Sequence, residues 1–387
     1  MFMDAIDTAA LPAGVLSRIE AETARRSARY GEDRERRVLL IGGSGYIGCP
    51  VTAHLLAHGA HVRNLDCLVY DHGAAMLGFL SHPRYEFVAG DMGDRDVLDR
   101  ALDGVTDVVL LAGLVGDPIT RAFPEASARI NDDAVMAAIE TLNGRGLDKV
   151  IFVSTCSNYG MISEHELADE HFALNPLSLY AKSKVAAEQA ILERKGRVDY
   201  APTILRFATA FGVAPRMRFD LTVNEFTREM YCGHELVVFD ADTWRPYCHV
   251  SDFARLIARV LEFPIDDVRF EIFNAGGDSN NFTKRSLVEL ISQRLPGRRV
   301  SYRDNSADPR NYRVSFEKVA SRLHFTPRMS VANGIDEIVW ALEHHMFDDV
   351  AERPVYYGNR ALPGLGRHMR LNNASSRAGA MWSLTRH

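Results

Sequence analysis

Cysteine is scarce in this sequence, and long apolar runs are absent. None of the five cysteines stands in a CxxC pair or at the Cys/His spacing of a zinc site, so we expect reduced thiols and no metal. The longest apolar runs, 108–114 and 150–153, have the length of strands, whereas a membrane-spanning helix needs about 20 apolar residues. We therefore expect no membrane span.

A strong charge of one sign is also lacking. The formal net charge is −6, with acidic and basic residues interspersed, which disfavours a nucleic-acid partner because a phosphate backbone requires a cationic surface. The first residues lack the basic start and long apolar stretch of a secretory signal. A cytoplasmic location is therefore expected.

Apolar segments of strand length alternate with amphipathic helical segments. With 47% hydrophobic residues, the chain can bury a large core. Alternating strands and helices predict an α/β fold, a Rossmann-type doubly wound parallel sheet with a smaller C-terminal substrate-binding lobe. The strands are expected near 38–41, 61–65, 85–88, 106–112, 150–153 and 202–207, and the helices near 46–58, 125–143 and 178–194.

We divide the chain into four parts. Residues 1–36, rich in Arg and Glu, are expected to form a solvated helical extension. Residues 37–212 form the predicted Rossmann domain, to which part of 240–280 returns, and 213–350 form the second lobe. Residues 351–387 have little periodicity and are interpreted as a poorly ordered or clasping tail.

A glycine motif follows the first predicted strand. The segment GGSGYIG places Gly42, Gly45 and Gly48 between that strand and a helix. Glycines let a phosphate approach the backbone, and the helix start offers unpaired N–H groups. Three glycines also suit a plain tight turn, but this position favours dinucleotide binding.

An acidic residue ends the second predicted strand. Asp66 lies where a carboxylate can accept hydrogen bonds from the adenosine ribose and repel a 2′-phosphate, so NAD is favoured over NADP. The nearby Arg63 could bind a 2′-phosphate, so NADP stays an alternative. Asp66 could also be an ordinary turn residue. Asp91 follows the third strand and is either an adenine contact or a helix cap.

Tyr180 and Lys184 stand four residues apart, hence on one face of a predicted helix. A phenol with a pKa of about 10 is a poor base at neutral pH, but a neighbouring ammonium and a nicotinamide ring favour its ionised form. The same spacing also occurs by chance on exposed helices. Here Thr155 ends the preceding strand, at the edge where parallel strands open into a binding crevice.

These motifs resemble the extended short-chain dehydrogenases/reductases, particularly their NAD-dependent sugar epimerase/dehydratase branch. The resemblance runs from about residue 37 to 347, through GGSGYIG, LVGDP, STCSNYG, YAKSK, LRFATAFG, RPYCHVSD and NAGG. It implies that Thr155 is the catalytic Ser/Thr, that Tyr180 is the acid/base and that Lys184 also holds the nicotinamide ribose. Asn131 resembles a structural asparagine beneath the site. The full set of expected cofactor contacts is Gly42, Gly45, Tyr46, Ile47, Asp66, Asp91, Met92, Ala112, Gly113, Tyr180 and Lys184.

One departure from the family concerns the reaction. The 4,6-dehydratases carry an Asp-Glu pair directly after the catalytic Thr, and this pair eliminates water. The present sequence has Cys156 and Ser157 there. Dehydration of that type is therefore disfavoured, and Cys156 is interpreted as a packing residue.

The second lobe concentrates arginines that suit a diphosphate, because the guanidinium is a planar fork. Arg245 and Arg310 match diphosphate-binding arginines by resemblance, and any of the set could instead pair with local acids. The expected substrate contacts are Thr155, Arg216, Asn224, Arg245 and Arg310, with Arg218 and Arg313 as further candidates.

Two other residues of this lobe carry expectations. Asp220 stands where many relatives have Asn, and its carboxylate would repel phosphate. Asn224, one turn further along, could make the substrate contact in its place. His249 is expected to be a structural histidine at the lobe interface.

Three functions fit these observations. The first is an NAD-dependent nucleotide-sugar epimerase, which oxidises a sugar carbon and returns hydride to the other face. The second is a ketoreductase of a 4-keto-sugar nucleotide, which would more often use NADPH. The third is a non-catalytic dinucleotide-binding regulator, which has no need to keep Thr155, Tyr180 and Lys184 together. The resemblance also implies a homodimer.

Overall fold

The computed structural model describes residues 11–31, 35–163, 165–304, 310–351, 353–358, 360–365 and 381–383. The helices are α1 (Ala13–Tyr30), α2 (Gly48–Ala57), α3 (Arg95–Leu102), α4 (Asp117–Ala122), α5 (Pro124–Ser127), α6 (Val135–Thr141), α7 (Leu179–Leu192), α8 (Thr222–Tyr231), α9 (Val250–Glu262), α10 (Ile265–Val268), α11 (Lys284–Arg294), α12 (Glu317–Leu323) and α13 (Val331–Glu343). The strands are β1 (Arg37–Ile41), β2 (His61–Asp66), β3 (Tyr85–Ala89), β4 (Asp107–Leu110), β5 (Lys149–Thr155), β6 (Ala201–Phe207), β7 (Thr209–Phe211), β8 (Leu236–Phe239), β9 (Trp244–His249), β10 (Glu271–Ala275), β11 (Asn281–Thr283), β12 (Val300–Arg303) and β13 (Met381–Ser383).

A central sheet has the strand order β10-β6-β5-β4-β1-β2-β3-β13. Its first seven strands are parallel, and β13 joins β3 in antiparallel pairing. Successive residues of β1 point to opposite faces, so that Leu40 packs in one hydrophobic cluster and Leu39 in the other. Burial on both faces explains why the strand sequences are almost continuously apolar. The predicted doubly wound parallel sheet is confirmed.

The chain order in the sheet reverses between β1 and β4. In doubly wound sheets a crevice opens outside the carboxyl ends of the strands at such a point. The second lobe carries two small sheets, β11-β9-β7 and β12-β8, and β10 returns to the edge of the central sheet. The site must therefore lie between the lobe and the carboxyl ends of β1 and β4.

Helix α1 forms in the predicted extension, with most of its residues exposed or half-buried and one side packed against the Rossmann domain. Ile19 and Glu22 are buried. Arg25 Nη2 donates to Asp148 Oδ1 at 2.6 Å, and Arg26 Nε donates to the other oxygen of Asp148 at 3.1 Å. Because Asp148 directly precedes β5, these arginines attach α1 to the amino-terminal end of the sheet.

Replacing Asp148 by Asn tests this attachment. The carboxylate is fully buried, while its arginine partners are 14–35% exposed. We therefore expect a loss of about 2 kcal/mol in the free energy of unfolding, between the ~0–1 kcal/mol of an exposed ion pair and the ~3–5 kcal/mol of breaking a buried one. Urea denaturation at pH 7 measures it.

Asp267→Asn is the matched control, because Asp267 pairs with α1 through Arg18, which is 54% exposed. We expect that variant to lose less than about 1 kcal/mol. Equal losses in the two variants would contradict a buried attachment of α1.

We call residues 353–358 and 360–365 the C-terminal strap. The backbone carbonyl of Tyr356 accepts a hydrogen bond from Phe219 N at 2.9 Å, in the second lobe. Further along, Gly364 N donates to Val69 O at 2.8 Å, just after β2, and Leu362 is buried in the Rossmann core. Of the two interpretations of the tail, the described residues support the clasping one.

Candidate functional site

A cavity of about 440 Å³ lies between the carboxyl ends of the parallel strands and the second lobe. It brings together residues that are more than 200 positions apart in the sequence. Among the residues singled out from the sequence, those lining it are Gly42, Gly45, Tyr46, Ile47, Gly48, Asp66, Asp91, Met92, Ala112, Gly113, Thr155, Ser157, Tyr180, Lys184, Arg216, Arg218, Asp220, Arg245 and Arg310. Asn224 and Arg313 are not part of this lining.

The glycine loop is shaped by close backbone contacts. Gly42 has φ +88°, and a Cβ there would lie 2.7 Å from the Cα of Ala112. A Cβ on Gly48 would lie 2.5 Å from the backbone of Gly43. Side chains are thus excluded, and Gly48, the first residue of α2, lines the cavity. This geometry fits a dinucleotide diphosphate.

Asp66 is buried at the end of β2 and fixed by backbone donors. Its oxygens accept hydrogen bonds from Ser44 N at 3.0 Å and Leu68 N at 2.9 Å. Burial alone would raise the pKa of this carboxyl, but the hydrogen bonds and the neighbouring His72 outweigh it and leave the pKa below its usual value. A charged carboxylate at this position opposes a 2′-phosphate.

Arg63 does not serve the cavity. Its Nε donates to Glu86 at 2.5 Å, and its Nη1 donates to the carbonyl oxygens of Ala101 and Asp103 at 2.9 and 2.6 Å. Since its donors are used within the Rossmann domain, it offers no site for the additional phosphate of NADP.

Asn131 fixes the segment that follows β4. Its Oδ1 accepts from Leu114 N at 2.7 Å, and its Nδ2 donates to Leu114 O at 3.0 Å. A Cβ on the adjacent Gly113 would lie 3.1 Å from Asn131 Oδ1 and 3.9 Å from Lys184 Nζ. The asparagine acts on the backbone, as the resemblance implies, and this backbone passes beside Lys184.

Helix α7 places the phenol and the ammonium one turn apart. Ser178 caps the helix by accepting from Ala181 N at 3.1 Å. Lys184 Nζ donates to Val153 O at 2.9 Å and lies 5.9 Å from the centroid of the Tyr180 ring. Thr155 and Tyr180 both line the cavity, and the Thr155 side chain is close enough to the phenol to lower its pKa. The three residues therefore converge in the cavity.

Burial acts on both titratable groups of this triad. It raises the pKa of Tyr180 well above its usual value, against the opposing effects of Arg218 and of the Thr155 side chain. It lowers the pKa of Lys184 to about 8, against the effect of Glu188. Without a further positive charge beside it, Tyr180 is a neutral phenol at pH 7.

Thr155 is also connected to the residue that replaces the dehydratase glutamate. Its Oγ1 lies 2.9 Å from Ser157 Oγ and accepts from Ser157 N at 3.1 Å. Cys156 points away from the cavity, with its thiol donating to Arg206 O at 3.1 Å, and burial raises its pKa. The thiol packs in the core, so neither position supplies an acid for elimination.

The arginines of the second lobe that line the cavity differ in their contacts. Arg218 forms a two-pronged ion pair with Asp220, at 2.9 and 2.6 Å, which neutralises the carboxylate that we expected to repel phosphate. Arg245 lies over the Tyr312 ring at 5.1 Å and donates to Trp244 O. Arg216 is buried, and its guanidinium lies over the Tyr70 ring.

The structure separates Asn224 from the expected substrate contacts. It is fully buried, its Nδ2 donates to the Tyr46 hydroxyl at 2.9 Å and to Arg218 O at 2.8 Å, and its Oδ1 accepts from Gly212 N at 3.1 Å. Both ends of its amide are hydrogen-bonded, and Asn224 does not line the cavity. It therefore positions Tyr46 and does not contact a substrate bound there.

Two further sequence candidates lie off the cavity. Arg313 lies over the Trp244 ring at 4.9 Å. His249 is buried between Glu337, at 2.8 Å from its Nε2, and Ser251, at 2.7 Å from its Nδ1, which agrees with a structural histidine.

Sequence reasoning missed several lining residues, namely Tyr70, His72, Asp117, Lys284 and Tyr312. Arg310 Nη2 lies 3.7 Å from Asp117 Oδ2, so this carboxylate pairs with Arg310 at the cavity. Tyr70 and His72 follow Asp66 closely, and Tyr312 follows Arg310, so proximity to singled-out residues was an available signal. Lys284 carried no such signal.

The described residues contain no group of three or more His, Cys, Asp or Glu side chains placed to hold a metal. Within the same residues, no helix combines the length and apolarity that crossing a bilayer requires.

Comparisons with known proteins agree with this geometry. The model of the NAD dependent epimerase/dehydratase family matches residues 38–276. The dTDP-glucose 4,6-dehydratase of Streptomyces niveus is 26% identical over 78% of this chain and 91% of its own. The crystal structure of DesIV, a dTDP-glucose 4,6-dehydratase from Streptomyces venezuelae with NAD and TYD bound, is 26% identical, with a TM-score of 0.72 over 80% of this chain and 98% of that one. The UDP-glucuronic acid 4-epimerase from Bacillus cereus, in complex with UDP-glucuronic acid and NAD, shares the fold at 21% identity, with a TM-score of 0.71 over 80% and 99% of the two chains.

Proposed function

Because this chain belongs to the NAD dependent epimerase/dehydratase family, we propose that it is a nucleotide-sugar epimerase that works by transient oxidation. One observation carries the proposal. Thr155, Tyr180 and Lys184 converge in the cavity, while the two positions that serve elimination in the dehydratases hold a buried thiol and a serine hydroxyl.

The residues present fit NAD. The glycine loop excludes side chains from the diphosphate position, Asp66 stands at the ribose position, and Arg63 is committed elsewhere. Bound NAD supplies a reversible hydride acceptor. Lys184, whose ammonium lies beside Gly113 and Tyr180, would hold the ribose and favour the ionised phenol.

The protein then has two tasks at the sugar. Tyr180 removes the hydroxyl proton as the carbon loses its hydride, and it returns the proton when hydride comes back to the opposite face. Thr155 keeps the reacting oxygen in place through its hydroxyl. The cycle is redox-neutral, so a retained NAD suffices, whereas the alternative ketoreductase consumes a reduced cofactor in every turnover.

Nucleotide sugars incubated with the protein in D₂O test this proposal, with products followed by NMR. We expect inversion of one sugar carbon without added cofactor and without deuterium at that carbon, because the same hydride returns. Elimination would instead incorporate solvent deuterium next to a keto group. Consumption of added NADPH with a 4-keto sugar would favour the ketoreductase, and failure to turn over any sugar would favour the regulator.

Assembly and location stay predictions. Light scattering of the purified protein tests the expected homodimer, and fractionation of the source cells tests the cytoplasmic location. The dimer and the location are both expected of the proposed enzyme, but its reaction depends on neither.

A further inference from the structure

Arg216 is a buried cation that faces the cavity. The residue is 4% exposed and lines the cavity, and its Nε and Nη2 have no hydrogen-bond partner within the part of the chain that the structure describes. Burying an unpaired charge is costly, and here it lowers the pKa of the guanidinium to about 10. Such a group is suited to an anion that enters the cavity.

The surroundings of Arg216 belong to the dinucleotide half of the cavity. Its guanidinium lies 4.3 Å from the centroid of the Tyr70 ring, which follows β2. The backbone of Arg216 is close enough to Cys49, in the first turn of α2, to lower the pKa of its thiol. The charge of Asp66, at the end of β2, also acts on Arg216. These three neighbours belong to the glycine-loop helix, to the end of β2 or to the segment after it.

Arg218, only two residues away, has a different partner. Its guanidinium is paired with Asp220, and its charge acts on Tyr180. Arg218 is thus committed to a carboxylate of its own lobe, whereas Nε and Nη2 of Arg216 are left without a hydrogen-bond partner among the described residues.

The C-terminal strap closes the outer side of Arg216. A Cβ on Gly358 would lie 3.0 Å from Arg216 Nη2 and 2.9 Å from Arg218 Nε. Six residues later, Gly364 N donates to Val69 O, next to Tyr70. The strap therefore packs against the guanidinium and also ties down the segment that carries the aromatic ring beneath it.

We propose that Arg216 is the cation that binds the pyrophosphate of NAD, together with the amino-terminal amides of α2, and that the C-terminal strap holds it in that position. A cofactor gripped from the second lobe as well as from the Rossmann domain dissociates slowly, as a redox-neutral cycle requires. The inference rests on NAD binding and does not require that the reaction be an epimerisation.

Arg216→Met tests the contact, since it keeps an unbranched apolar stem and removes the charge. We expect NAD to dissociate from the purified full-length protein at least tenfold faster, measured as the absorbance of nucleotide that stays with the protein after dilution and filtration, because charged contacts that are truncated act mainly on dissociation. Arg216→Lys should lie between the variant and the wild type. Arg313→Met is the matched control, being another arginine over an aromatic ring but outside the cavity, and it should release NAD at the wild-type rate.

Two results would overturn the proposal. If Arg216→Met releases NAD at the wild-type rate but binds UDP, the nucleoside diphosphate part of a nucleotide sugar, more weakly, the guanidinium serves the substrate. If it changes neither, Arg216 is not an anion site. Failure to fold is checked by the thermal midpoint of the NAD-free protein, which should not fall, since an unpaired buried charge has been removed.

Gly364→Val tests the strap without altering Arg216. A Cβ at this position would lie 2.4 Å from Leu68 O and 2.8 Å from the carbonyl carbon of Val69, so the strap must move away. We expect faster NAD release from this variant too. An unchanged rate would remove the strap from the proposal and leave the Arg216 contact standing.

Discussion

Tyr180→Phe should lower the turnover number by about 10²–10⁴-fold, the contribution typical of a positioned acid/base, while the protein keeps its NAD. The phenol oxygen is the group that can exchange a proton with a sugar hydroxyl next to Thr155. Phenylalanine preserves the buried ring and its place beside Lys184. Turnover is measured by NMR on the accepted nucleotide sugar, and NAD content by absorbance after denaturation.

The control for this experiment is Tyr200→Phe. Tyr200 is also buried, and burial raises its pKa to about 12, but it packs in the Rossmann core away from the cavity. Its removal should leave turnover within about twofold. If Tyr180→Phe were equally harmless, the convergence of Thr155, Tyr180 and Lys184 would not be the source of the activity.

Lys184→Met should lower turnover by about 100-fold and change its pH dependence. The lysine cation favours the ionised phenol, so its loss raises the pKa of Tyr180 and shifts the acidic limb of the rate profile to higher pH. Burial lowers the pKa of Lys184 to about 8, so the lysine is charged below that pH and neutral above it. The wild-type rate should therefore decline as the pH rises through about 8, and the variant should lack this decline.

A full pH profile of the turnover number distinguishes this from a structural defect. A variant that is merely misfolded would lose activity by the same factor at every pH. Lys182→Met provides the control, because Lys182 lies on the exposed side of α7 and carries no role at the site. If the acidic limb of the pH profile does not shift in Lys184→Met, the lysine does not influence the pKa of Tyr180.

Local patterns in the sequence were sufficient for the fold class and for placing Thr155, Tyr180 and Lys184 in one site. The strand-helix alternation, the glycine loop before α2 and the four-residue spacing of Tyr180 and Lys184 each depend on backbone geometry within a few residues. The position of Thr155 followed from the edge at which parallel strands end. These features were placed correctly because helix and strand periodicity alone decides them.

The tertiary structure alone decided which partner each charged or polar group of the second lobe and the termini meets. Asn224 bonds to Tyr46, 178 residues away, and Arg25 meets Asp148 over 123 residues. Likewise, Arg216 and Arg218 share a tripeptide, yet Arg218 pairs with Asp220 while Arg216 lies over the Tyr70 ring. A long side chain pairs with whichever charge or ring the packing of helices and strands places within its reach. The spacing of residues along the chain therefore does not predict the partner.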